Sequence, residues 1–420
     1  MTDAPAELPL LTKPAAPFGP VIRDHAGLAD LVTGLASGDG PVGLDAERAG
    51  GFRYHSWAYL IQLKTPETGI KLIDPIALTD SPPAHLPALG AALAGREWIL
   101  HAASQDLPCL AELGLLPDRL FDTELAARLV GRPRVGLGPL VEDFFGVHLL
   151  KEHGAADWSS RPLPADWLNY AALDVELLHE LRDRLAGELA EQGKTEWAEQ
   201  EFQHWMDWAR TDHAPREDPW RRTAGIHLVH SARGLALVRE LWTARDALAA
   251  ALDLAPGRLL ADRGISDLAA LVHDGAFGVG ADSLGHIEWF HRRQAQKFRP
   301  DWLAAVARAE KLGPDDWPPL RRPSDGPPAP RGWKTVNPPA ARRWEKVRPA
   351  VNRRAEELNV PPENLIQPDA LRRLVWEPEG ADARSVDAQL ADLGARAWQR
   401  DLVTPVVVTA LAKVKAAPAA

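Results

Sequence analysis

In the first half of the chain the apolar positions fall in short runs. In the second half they recur every three or four residues. PVGLDAERAGGF (41–52) opens with a short apolar run, Val42 to Leu44, and delivers two acids one residue apart. AYLIQLKT (58–65) and GIKLIDP (69–75) are two further apolar runs separated by PETG, which predicts a hairpin. REWILHAA (96–103) predicts another strand. Helical spacing is predicted over 84–94, 104–113, 123–130 and 137–146, with Pro108 tolerated in a first turn. One long helix is expected from Pro164 to Gly193. Antiparallel strands followed by alternating helices and strands predict an α/β fold built on a mixed sheet.

After residue 210 the strand signal vanishes. ARGLALVRELWTARDALAAAL (232–252) is an amphipathic helix, followed by a short loop and helix in APGRLLADRGISDLAALV (255–272). The same order returns in ARRWEKVRPAVNRRAEELNV (341–360) and PPENLIQPDALRRLVW (361–376). Each copy runs helix, proline turn, Leu-Leu or Leu-Ile, then an acid that opens the next helix. This is an internal repeat of a small helical domain. The expected organisation is a flexible N-terminal segment over 1–20, an α/β domain over 21–210, a connector and first helical domain over 211–312, a proline-rich basic linker over 313–335, and a second helical domain over 336–420.

A chain of 420 residues is too long for one ordinary core, and 45% hydrophobic with 25% charged residues is normal for a soluble globular protein. No apolar run reaches the roughly 20 residues of a membrane helix. The start, MTDAPAELPLLTKPAAPFGP, lacks the basic-then-apolar pattern of a secretory signal. A single cysteine, Cys109, excludes an internal disulfide framework and a cysteine-based zinc cluster, so a cytoplasmic location is expected. Nothing resembles a long coiled coil, and a monomer is expected. The net charge of −10 hides an asymmetry. Residues 1–210 carry 17 Lys+Arg against 31 Asp+Glu, hence −14, and residues 211–420 carry 31 against 27, hence +4. That division fits a metal-using catalytic domain tied to one that grips nucleic acid, as it also fits two domains with unrelated surfaces.

Three acidic elements carry candidate chemistry. Strand side chains alternate, so Asp45 and Glu47 share a face, and close carboxylates repel unless a cation sits between them. Hard divalent cations suit such oxygen ligands. The bland alternative is a strand end entering solvent. Asp106 in LHAASQDL (100–107) follows a predicted strand near a helix start, where an acid also complements the helix dipole. Tyr170 and Asp174, four apart in NYAALDVELL (169–178), share a helix face.

In order and spacing, GLDAER (43–48), HAASQDL (101–107) and YAALDV (170–175) resemble the DEDD exonucleases of the tyrosine subtype, and within them the ribonuclease D family. LIQL (60–63), LIDP (72–75), FDTELAARL (121–129) and DWSSRPL (157–163) also look like the family. The helical repeats resemble HRDC domains, small nucleic-acid-binding modules. The resemblance implies a ribonuclease-H-like catalytic domain and two HRDC-like domains. It implies Asp45, Glu47, Asp106 and Asp174 as ligands of two Mg²⁺ or Mn²⁺ ions, and Tyr170 as the residue that orients the attacking water. The implied reaction is 3′→5′ removal of nucleoside 5′-monophosphates from RNA, with tRNA precursors as substrates. His101, Gln62, Trp158 and Arg161 are candidate substrate contacts, each with a packing or surface alternative. Family members often carry a glutamine where this chain has Trp167. The segment from Leu320 to Ala355 holds ten Lys+Arg, two acids, Trp333 and Trp344, and is a candidate phosphate-tracking surface. Two rival readings keep the scaffold: a single-stranded DNA 3′→5′ exonuclease, and a non-catalytic nucleic-acid-binding protein.

Overall fold

The computed structural model describes residues 8–150, 153–212, 214–322 and 326–416. Five strands form one mixed sheet: β1 (Val42–Arg48), β2 (Ala58–Thr65), β3 (Gly69–Ile73), β4 (Glu97–Leu100) and β5 (Arg119–Asp122), in the order β3-β2-β1-β4-β5. The β1/β2 and β2/β3 pairs are antiparallel, whereas β1/β4 and β4/β5 are parallel. The predicted hairpin is therefore present. β5, only RLFD, escaped the sequence reading because four residues with charged ends carry no period.

Helices cover the sheet. The helices that matter for the site are α1 (Thr123–Leu129), α2 (Ala165–Glu176), α3 (Leu178–Glu191) and α4 (Thr195–Ala209). The expectation of one helix from Pro164 to Gly193 is corrected: the helix breaks at Leu177, whose φ of −111° and ψ of 13° end α2. The apolar rhythm passes through the break unchanged. What marks the break is tertiary: the Glu176 carbonyl accepts a hydrogen bond from Lys64 Nζ, and its carboxylate pairs with the same ammonium at 3.5 Å. The N-terminal segment is not free either. Leu10–Leu11 pairs in parallel with His148–Leu149, Pro14 is buried, and Ala15 N–H donates to Glu176 Oε1 at 3.2 Å. Residues 1–7 of that expected flexible segment lie outside the described residues.

Beyond residue 214 no strand is present among the described residues. The two helical repeats are built on α5 (Ala232–Leu252) and α6 (Pro338–Glu357), and α7 (Ala397–Ala416) packs along α6. In each copy a residue in the left-handed conformation follows the long helix, Asp253 (φ 45°) directly after α5 and Asn359 (φ 50°) after the cap Leu358, 106 positions apart. Each copy uses that corner to dock on the α/β domain. Asp253 accepts from the N–H groups of Tyr54 (3.2 Å) and His55 (3.3 Å). Asn359 Nδ2 donates to Val130 O at 3.1 Å, packed so closely that Gly131 leaves no room for a Cβ.

The second copy is fastened further. Arg396 grips Glu201 through two 2.6 Å bonds, Trp398 Nε1 donates to the same carboxylate, and Trp398 stacks on Trp197 at 4.9 Å. One apolar core runs from the sheet into this copy, while the first copy keeps its own. Trp333, placed by sequence in the linker and on a phosphate-tracking surface, is fully buried against Trp344 and Trp376 and donates to Pro328 O. It is core, because a tryptophan beside proline loops offers the area that a small helical domain needs to bury.

Candidate active site

The site forms where α2 passes over the end of β1. Alternation along β1 sends Asp45 and Glu47 to one face, and α2 brings Asp174 onto that face. Carboxylate oxygens of Asp45, Glu47 and Asp174 all lie within 4.8 Å of one another. Tyr170, one turn earlier on α2, lines the same pocket of about 380 Å³. So does Asp106, the residue before helix Leu107–Glu112, whose side chain makes no capping hydrogen bond there. At the N-terminus of that helix it also keeps the dipole-complementing position of its sequence alternative.

Burial and mutual repulsion set the electrostatics. Burial lifts the Asp45 carboxyl to about 6. Burial, followed by repulsion from Asp45, Asp174 and Asp106, pushes Glu47 up to about 10. Asp106 is raised well above the usual carboxylate range by burial and by Asp45, and the Tyr170 phenol is raised by burial and by Asp174. Four acids in one pocket cannot all ionise without a cation. The all-oxygen donor set fits a hard divalent ion and does not fit a thiolate- or imidazole-seeking one.

Sequence reasoning missed two residues that shape this pocket. Arg48 is the one Lys or Arg among the described residues lining it, with Nη2 3.9 Å from Asp106 Oδ1. The β1/β2 register shifts between Glu47 and Arg48, and such a bulge re-aims the side chain that follows it. No one-dimensional pattern shows a bulge. The second is Asp122, buried at the end of β5. Its carboxylate accepts from Ala102 and Ala103 N–H (3.1 and 2.9 Å) and also caps α1 through Glu124 and Leu125 N–H. It thereby ties down the left-handed residue Ala102 (φ 60°) and the turn that carries Asp106. Its signal was legible as an N-cap, Asp-Thr-Glu before an apolar run.

The candidate substrate contacts separate. His101 lines the pocket, with Nδ1 2.9 Å from Thr123 Oγ1. Gln62 does not reach it: it is fully buried on β2, directly across from Asp45, and a side chain sealed inside the sheet cannot touch substrate. Trp158 is likewise fully buried, and packs against Trp167 (5.3 Å between centroids) and Tyr170 (6.3 Å). It backs the tyrosine instead of facing the pocket, and Trp167 completes that wall in place of the expected glutamine. Arg161 is also a structural residue. Its five donors all go to protein: the Asp74 carboxylate (2.6 and 2.7 Å) and the carbonyls of Trp158, Ser160 and Tyr59. Tyr54 does not line the pocket; its hydroxyl donates to Asp246 of the first helical copy at 3.1 Å.

A twisted mixed sheet with carboxylates clustered at the end of its central strand, crossed by a helix bearing tyrosine and aspartate, defines a 3′–5′ exonuclease domain. Residues 20–190 match the family described as "3'-5' exonuclease", and residues 326–411 match "3' to 5' exonuclease C-terminal domain". Ribonuclease D of Gluconacetobacter diazotrophicus is 31% identical over 344 residues, 80% of this chain and 81% of that protein. Ribonuclease D of Granulibacter bethesdensis is 31% identical over 240 residues, and the match spans 55% of this chain and 58% of the relative's length. A crystal structure of a protein from Bifidobacterium adolescentis superposes with a TM-score of 0.86 at 38% identity, covering 97% of this chain and all (100%) of that one. Escherichia coli RNase D shares the fold at a TM-score of 0.65 and 23% identity, over 94% of this chain and 99% of that one. The chain belongs to the ribonuclease D family. No helix among the described residues is long and apolar enough to cross a membrane.

Proposed function

We propose that this chain is a metal-dependent 3′→5′ exoribonuclease that hydrolyses the terminal phosphodiester of RNA and releases nucleoside 5′-monophosphates. The observation that carries the reading is the convergence of Asp45, Glu47 and Asp174, with Asp106, in one pocket beside Tyr170. In this reading the four acids hold two divalent ions, Mg²⁺ or Mn²⁺. Bound there, such ions activate water and relieve charge on the phosphate and the leaving 3′-oxygen.

The chain's own residues do the rest. Tyr170 is a poor base, its phenol being held protonated by burial and Asp174, so it acts as a hydrogen-bond donor or acceptor that orients the attacking water. Trp158 fixes its ring from behind. Arg48 supplies a guanidinium to a phosphate oxygen, a role its five-donor fork suits. His101 sits where it can meet the terminal nucleotide. Asp122 keeps the Asp106 turn in register with β1.

The Escherichia coli relative is an exoribonuclease involved in structured RNA processing. By analogy the substrates are structured RNAs with single-stranded 3′ ends, tRNA precursors among them. The helical copies are HRDC-like and hold the RNA, and the protein acts as a cytoplasmic monomer. The test is a time course on 5′-labelled RNA and matched DNA with Mg²⁺, Mn²⁺ or EDTA. The expected result is a ladder shortening from the 3′ end of RNA, absent in EDTA and reduced about 1000-fold or more in Asp174→Asn. Binding of both oligonucleotides without cleavage in either metal overturns the reading.

A further inference from the structure

A groove of about 710 Å³ lies on the second helical copy, between α6 and the segment Pro362–Trp376. Trp344, Arg348 and Asn352 line it at four-residue spacing, so one face of α6 presents an indole, a guanidinium and an amide in a row. Trp344 is half-buried and Arg348 exposed, with its guanidinium 5.6 Å from the indole centroid. The two acids at the groove do not dominate it: Asp369 is held ionised and paired by Arg373 and Arg372, and Glu363 stands at the rim. α6 as a whole carries six Lys+Arg against three Glu.

Shared and sequence-adjacent residues lead from the groove toward the catalytic pocket. Gly136 and Leu137 wall that pocket, and Val135, next in the chain, walls a second hollow of about 550 Å³. That hollow is floored by Arg128 and Arg132 on one side and Asn359 on the other, and it reaches Glu363, which it shares with the α6 groove. This intervening hollow lies on the docked seam between the two domains, held by Glu201–Arg396 and Asn359–Val130.

The internal repeat offers a parallel to this groove. The two copies align with an offset of 106 residues through Asp253 and Asn359, which places Asp246 at the position of Asn352. In the first copy the corresponding corner receives an aromatic ring: Tyr54 packs on that core and its hydroxyl donates to Asp246. In the second copy the residue is an amide, which offers both a donor and an acceptor to the edge of a planar ring.

We propose that this groove is a base-stacking subsite for single-stranded RNA on the 5′ side of the nucleotide being removed, with a nucleobase against Trp344, its edge at Asn352 and its phosphate at Arg348. The proposal rests on the exoribonuclease reading above. Stacking and a phosphate contact need no particular base, as an enzyme that removes every nucleotide in turn requires.

The experiment uses the full chain and its Trp344→Ala, Trp344→Phe and Arg348→Glu variants. Hydrolysis of a diribonucleotide and of a single-stranded 15-mer is measured for each, together with 15-mer binding in the Asp174→Asn background. The diribonucleotide is too short to leave the pocket. The expected result is unchanged diribonucleotide hydrolysis, and 15-mer Kd and KM raised about 5- to 100-fold by Trp344→Ala. Trp344→Phe should largely restore both, and Arg348→Glu, on an exposed side chain, should raise both without touching the core. A 4-thiouridine placed upstream of the 3′ end should crosslink to the peptide holding Trp344. Wild-type affinity for the 15-mer in both Trp344→Ala and Arg348→Glu overturns the proposal and assigns the groove to some other partner. Failure of the unsubstituted chain to cleave either substrate with metal overturns the exoribonuclease reading instead.

Discussion

Replacing Glu47 by glutamine should make the metal-free protein more stable while destroying its activity. Glu47 is 9% exposed and its carboxyl sits at about 10, against 4.5 in an unfolded chain. Above pH 4.5 the unfolded chain gives up this proton and the folded chain keeps it. The fold therefore loses stability as pH rises through the window from 4.5 toward 10. Each pH unit costs about 1.4 kcal/mol. The penalty is small at pH 5 and grows to several kcal/mol at pH 7.5. Glutamine has the shape of the protonated acid and nothing to titrate. Urea unfolding in EDTA should show E47Q stabilised by little at pH 5 and by several kcal/mol at pH 7.5, with an unchanged m-value. In Mn²⁺ at pH 7.5 the gap should narrow. The unsubstituted protein gains about 2.7 kcal/mol at a hundredfold excess over its Kd, and E47Q loses most of that gain with its ligand. An E47Q gain equal at both pH values, or a loss at pH 7.5 in EDTA, would refute the argument that burial of this acid and repulsion from its neighbours are stored in the fold and discharged by metal.

Tyr170→Phe should lower kcat about 10- to 100-fold with little change in KM, because it removes a positioning contact to water and leaves the acids in place; steady-state kinetics on RNA checks this. Arg161→Ala leaves Asp74, 1% exposed, without its main partner. It should cost about 3–5 kcal/mol of stability, read by urea melts, while activity per folded molecule survives well below the midpoint. Glu201→Gln should weaken the seam to the second helical copy by about 3 kcal/mol, seen as faster hydrogen exchange in α4 and α7, and should reduce activity on long RNA more than on a diribonucleotide.

The strands that place the acids were legible because short apolar runs ended in recognisable chemistry: Val42–Leu44 into Asp45 and Glu47. Asp174 and Tyr170 were legible because a four-residue spacing survives any exact helix boundary. The break at Leu177 was not, since Lys64 reaches the Glu176 carbonyl from a distant strand. Arg161 and Trp158 read as plausible site residues because arginine and tryptophan serve both ligands and clasps. Only the Asp74 carboxylate and the backing of Tyr170 decide between the two. Arg48 was invisible for the opposite reason, since its aim depends on a bulge. Trp333, which opens the short helix Trp333–Val336, shows that proline-rich composition does not place a segment outside a core.

A duplicated module faces a problem of address, since two similar bodies compete for two similar berths. Here the berths are written in opposite hydrogen-bond polarity at one matched position. Asp253, an acceptor, meets the two N–H groups of Tyr54 and His55, whereas Asn359 turns a donor toward the Val130 carbonyl. Seating the first copy at the second berth would press a carboxylate against a carbonyl oxygen, an arrangement that costs more than an empty berth. A single left-handed residue past each long helix thus distinguishes the two berths, and the two copies are not free to swap.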